Sequence, residues 1–165
     1  LVVSTAWLAS RITDPRVVVL SVARDDSAYR FAHVPGARFV SYMDFTPEID
    51  GIGTQLPPVD DLRRLFQSLG VSDASHVVLT GPPLMATRAF FTLDYLGLAR
   101  VSILDGGLPR WRAEGGAVAT GPSPSVPAGR TTWPAKENRI ASPMTLSPVS
   151  SAGMPSQRKA CAYCP

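Results

Sequence analysis

Four short apolar runs alternate with amphipathic stretches along the first 117 residues, and that alternation sets the expected architecture. Residues 17–22, 38–40, 76–80 and 101–104 are predominantly apolar over strand length, the pattern of strands buried on both faces. Between them lie helical patterns. Ser4-Thr5-Ala6-Trp7-Leu8-Ala9-Ser10-Arg11 opens on a capping residue, and Asp14-Pro15 stops it. Residues 26–31 predict a short helix, and His33-Val34-Pro35-Gly36-Ala37 a turn. Residues 59–69 carry apolar positions at helical spacing, Asp60 and Asp61 in the first turn and Gly70 at the end. A helix is expected over 85–96 up to Gly97, and Asp105-Gly106-Gly107 opens another running through Trp111, with Asp105 as its cap. Buried strands alternating with helices imply an α/β domain with a parallel sheet covered on both faces.

The character changes near residue 118. Eight of the 16 prolines fall in 121–165, among many Ser, Thr, Gly and Ala residues and no sustained apolar period. The expectation is therefore a domain over 1–117 followed by a Pro/Ser-rich linker or disordered tail over 118–165. The chain opens on Leu1 rather than Met, which leaves room for sequence upstream.

Composition narrows the function classes. At 45% hydrophobic and 18% charged residues, the chain has the make-up of a globular protein. No apolar stretch approaches the roughly 18 residues of a spanning helix, and no secretory leader pattern is visible. No membrane association is expected. A net charge of +3 with arginines scattered among acids gives no nucleic-acid footprint. Both cysteines, Cys161 and Cys164, lie in the last five residues, so the body has no disulfide framework and a cytoplasmic location is the default. Their C-x-x-C spacing lacks the strand-then-helix context of a redox pair and the further ligands of a zinc site. No cofactor or metal is expected.

Three pieces in order resemble the rhodanese family of sulfurtransferases. Ala32-His33-Val34-Pro35-Gly36-Ala37 is similar to its G-H-I-P-G-A motif, and Leu104-Asp105-Gly106-Gly107-Leu108-Pro109-Arg110-Trp111 to its L-D-G-G-x-x-x-W motif. Between them, residues 77–91 read as strand, loop and helix. The opening residues 1–8 also resemble the N-terminal half of two-domain thiosulfate and mercaptopyruvate sulfurtransferases. The resemblance implies a rhodanese fold, and in active members a persulfide-carrying cysteine at the end of the fourth strand. Two-domain members keep that cysteine only in their C-terminal half. Counted back from Leu96-Gly97, its position here falls on Thr80, whose hydroxyl cannot store sulfane sulfur.

The loop Thr80-Gly81-Pro82-Pro83-Leu84-Met85-Ala86 therefore reads as vestigial. Pro82 and Pro83 each remove a backbone donor from what would be an anion cradle. Where the family often reads L-D-V-R, this chain reads Leu20-Ser21-Val22-Ala23-Arg24, without the Asp that pins neighbouring loops. His33 is expected to hydrogen-bond backbone and fix its turn rather than act as a base, and His76 has no nameable partner. The reading that follows is a non-catalytic rhodanese-like domain that shapes the cleft of a catalytic rhodanese domain in cis, missing here through truncation or an altered reading frame. The alternative is a stand-alone binding or regulatory module that docks a protein partner or small anion. A phosphatase on the same fold also needs the missing cysteine and ranks last.

Overall fold

The computed structural model describes residues 1–48, 51 and 53–133. Five parallel strands form one sheet: β1 (Val2–Val3), β2 (Val17–Ala23), β3 (Arg38–Ser41), β4 (His76–Thr80) and β5 (Val101–Leu104), in the spatial order β1-β5-β4-β2-β3. Among the described residues four α-helices connect them, α1 (Thr5–Ala9), α2 (Ser27–Phe31), α3 (Val59–Ser68) and α4 (Pro83–Tyr95), and α5 (Gly107–Ala113) follows the last strand. This is the α/β parallel architecture expected. β1 and a 3-10 turn at Tyr42–Phe45 have no counterpart among the predicted elements.

The apolar runs bury on both faces because each face has its own helices. Val18, Leu20, Val22, Val77 and Leu79 pack with Leu62 and Phe66 of α3 and Ala86, Ala89 and Leu93 of α4. On the other face Val19, Val78 and Leu104 pack with Leu8 of α1, Tyr29 of α2 and Trp111 of α5. Burying a side chain of this size contributes about 1.5–3 kcal/mol each, so the two layers hold the sheet's geometry firmly.

Helix ends follow local chemistry. Ser4 Oγ accepts from Trp7 N at 3.1 Å and starts α1, which stops earlier than expected because Ser10 Oγ bonds back to Trp7 O at 2.9 Å. α4 begins at Pro83 rather than 85, since a proline at the first helical position has its φ preset and lacks only an N–H that the helix would leave unpaired.

Residues 118–133, expected to be a linker or tail, carry no regular helix or strand but run as a strap across the domain. Ala119 exchanges backbone bonds with His33, Gly121 N donates to Arg30 O, and Ser123 Oγ accepts from Phe39 N. Farther along, Gly129 N donates to Gln67 O, Asp73 accepts from Thr132 N, and Trp133 is 4% exposed within the α3 and α4 core. Backbone hydrogen bonds and one aromatic anchor order this stretch, where an apolar period would have been the usual signal. The remainder of the expected tail, with Cys161 and Cys164, lies outside the described residues.

Candidate functional site

In a parallel sheet, crevices open at the carboxyl ends of strands where the strand order reverses. Here β3 lies on one side of β2 and β4 on the other. At that switch point the ends of β2 and β4, with α2, the 32–34 turn and the start of α5, enclose a cleft of about 670 Å³. Thr80, Gly81, Pro82 and Pro83 line it, as do His33, Asp105, Gly106 and Gly107. Part of each motif and part of the loop thus meet in one place, whereas Pro35, Gly36, Leu84, Met85, Ala86 and Trp111 do not line it.

Thr80 is 5% exposed and directs its hydroxyl towards Leu20 O at 3.5 Å, a long contact. It stands in register with Ser21, which puts the two hydroxyls side by side on one face of the sheet. Gly81 follows with φ +134°. Pro82 occupies the cap position of α4 and Pro83 its first turn, while Met85 and Ala86 both donate to Pro82 O at 3.0 Å. Pro83, Leu84, Met85 and Ala86 belong to the helix and Thr80 to β4, so of the loop expected over Thr80–Ala86 only Gly81-Pro82 lies between strand and helix. Two prolines and two inward-turned amides leave little of the converging N–H array that holds an anion.

His33 lies 5% exposed in the turn. Its Nδ1 sits 2.8 Å from Tyr29 O, and its ring stacks on Tyr29 at 3.9 Å and 7°. Tyr29 in turn donates its hydroxyl to Ala37 O at 2.6 Å, and burial pushes its phenol above the ordinary value, with Ser123 opposing the shift. Pro35 and Gly36 carry the chain round, closed by Ala37 N to Val34 O at 2.9 Å. His33 fixes the turn as expected.

Asp105 does not cap α5. Gly106, at φ +67°, holds the cap position with no side-chain bond, and the Asp105 carboxylate is paired with the Arg110 guanidinium. The cause is Arg110 itself, one turn into α5, which also bonds Glu114 at 2.7 Å. Hydrogen bonds from Thr5 and Arg110 lower the Glu114 carboxyl below its usual range. Trp111, 3% exposed, donates Nε1 to Ala117 O at 2.6 Å and anchors the motif's far end.

His76, without a nameable partner in sequence, has two. Its Nε2 lies 2.9 Å from Ser102 Oγ, and its ring packs against Trp7 at 4.7 Å. This pair stands at the amino end of the sheet, remote from the cleft. Among the described residues no group of three or more His, Cys, Asp or Glu side chains could hold a metal, and no helix is long and apolar enough to cross a membrane.

The model of the rhodanese-like domain matches residues 4–114. The chain belongs to the rhodanese-like domain family. Among relatives of this rhodanese-like domain, the sulfur carrier protein TtuD of Thermus thermophilus is 33% identical over 141 residues, covering 84% of this chain and 48% of TtuD. A putative thiosulfate sulfurtransferase, SseB of Mycobacterium tuberculosis, is 39% identical over 100 residues, 58% of this chain and 35% of SseB. The crystal structure of the 3-mercaptopyruvate sulfurtransferase SseA from Escherichia coli superposes with a TM-score of 0.69 at 26% identity, covering 78% of this chain and 53% of SseA. The rhodanese-like chain spans half or less of the length of the curated relatives it matches.

Proposed function

We propose that this domain is the non-catalytic N-terminal half of a two-domain sulfurtransferase of the thiosulfate/3-mercaptopyruvate type. The observation that carries the reading is Thr80. It occupies the strand end where the family places its nucleophile, beneath a proline-capped helix, in a body with no cysteine before Cys161. A thiolate nucleophile needs a thiol and a stabilising donor array; the described residues contain no cysteine, and Pro82, Pro83 and the engaged Met85 and Ala86 amides support the reading that the array is lost too. The role of residues 1–117 and their strap is then to pack against a catalytic rhodanese domain in cis and form one wall of its substrate cleft. Exposed apolar side chains at the cleft mouth and on the adjoining α4 turn, Val2 at 63% and Leu84 at 76%, support such a contact. A cytoplasmic setting belongs to the same proposal.

The purified chain is expected to transfer no sulfur from thiosulfate or mercaptopyruvate to cyanide. Turnover that persists in a Cys161→Ser, Cys164→Ser double variant would overturn the reading. The same apolar rim is open to a second reading, a stand-alone binding module. Reading the coding locus beyond residue 165 separates the two: a further strand followed by a cysteine-bearing loop supports the first, and a stop codon the second.

A further inference from the structure

We propose that the cleft is a binding site for a small uncharged molecule that is apolar over most of its surface and donates one hydrogen bond to His33 Nε2. The proposal rests on the non-catalytic reading of the cleft and names what the emptied site is still built to hold. Its volume, about 670 Å³, falls within the roughly 300–1,000 Å³ of small-molecule sites. Val22, Ala32, Val34, Ile103 and Leu108 supply apolar walls.

Charge argues against an ionic ligand. Among the described residues no lysine or arginine lines the cleft, and Asp105, the one carboxylate among them there, is neutralised by Arg110. Pro82 and Pro83 deny an anion the amides it would need at the start of α4.

His33 gives the cleft its directional group. Tyr29 O can only accept, so Nδ1 of the neutral ring carries the proton and Nε2 presents a lone pair. Nε2 has no hydrogen-bond partner among the described residues and is not among their fully buried unpaired polar atoms, so a molecule in the cleft can reach it even though the residue as a whole is buried. The Tyr29 stack and the bond to Tyr29 O hold the ring so that this acceptor does not swing away. An accessible acceptor held in place without a protein partner is open to a donor from a molecule in the cleft. The hydroxyls of Ser21 and Thr80, side by side on the floor, offer a second polar point.

The test is an amide-shift titration of the full 165-residue chain with three probes of similar shape: 2-naphthol, 2-methoxynaphthalene and 2-naphthoate. The naphthol is expected to bind saturably and move the amides of His33, Thr80 and Gly81. Loss of the donor in the methyl ether should weaken binding by roughly fivefold, the scale of one neutral hydrogen bond, and the naphthoate should bind more weakly than the naphthol. His33→Phe should bring the naphthol down to the ether's affinity. Because that change is in the core, Ala28→Trp, at an exposed α2 position lining the cleft, serves as an independent block and should abolish the shifts. Absence of saturation by any probe, tighter binding of the naphthoate, or unchanged binding in Ala28→Trp would overturn the proposal. Sulfur transfer by the double cysteine variant would instead sink the non-catalytic reading, whatever the titration shows.

Discussion

Gly81 packs its α-carbon against the carbonyl oxygen of Val22, so closely that a β-carbon at position 81 would fall well inside 3.0 Å of it. The same residue has φ +134°, a conformation that side chains rarely adopt. Gly81→Ala thus combines a backbone clash with dihedral strain and is expected to cost about 2–4 kcal/mol in urea unfolding. A change within 0.5 kcal/mol would show that the β2 and β4 ends separate easily.

Thr80→Cys restores a sulfur but not its surroundings. The new thiol would be buried, with Met85 and Ala86 amides already engaged by Pro82 O and no cation lining the cleft. It should titrate at or above the ordinary value of about 8.5 and acquire little sulfurtransferase activity. The measurement is the pH dependence of its alkylation in a Cys161→Ser, Cys164→Ser background. A midpoint below about 7 would mean that the cradle survives despite the prolines.

The strap predicts an order of stabilities. Ending the chain after residue 133 keeps Trp133 and the bonds to Gln67 and Asp73, whereas ending it after 117 removes them. The shorter form should unfold at clearly lower urea, and Trp133→Ala alone should cost about 3–5 kcal/mol. Equal midpoints for the two truncations would show that the strap adds nothing to the fold.

His76 supplies a pH dependence. Burial, then the charges of Arg100 and Arg11 among others, lowers its pKa below the usual 6.5. The unfolded chain therefore takes up this proton at a higher pH than the folded one. The contribution is complete above the unfolded pKa and declines as pH falls through 6.5 towards the folded value. His76→Gln should flatten that part of the urea midpoint profile between pH 7.5 and 5 relative to the parent. Parallel profiles would show that the histidine does not discriminate between the two states.

These tests mark where the sequence was readable and where it was not. Residues 17–22 and 76–80 announced themselves because strands buried on both faces need apolar residues on successive positions, as at Val17–Leu20 and Val77–Leu79, and 59–69 because a half-buried helix needs a periodic pattern. The cleft residues were legible as motifs, since His33 and Asp105 sit in turns with distinctive glycines. β1 is two residues long and takes its identity from pairing with Ile103 and Leu104, a partner about 100 positions away in the chain. His76 and Ser102 meet for the same reason, through a strand register that local pattern does not encode. Asp105 had the right residue type for a cap, but a nearby arginine outcompeted the backbone. In 118–133 the ordering contacts are mostly backbone bonds, to which composition is blind.

The strap also decides what the sheet can do to its neighbours. Parallel strands at a sheet margin offer unpaired amides and carbonyls on which a second chain can template itself. On the β3 side, the Phe39 amide that would serve as such a template is already occupied by Ser123. At the opposite margin β1 pairs with β5 through Val2 and Val3. The Ser123 bond covers one amide of the β3 margin, so a cut between Ala119 and Ser123 would free the Phe39 amide for another chain.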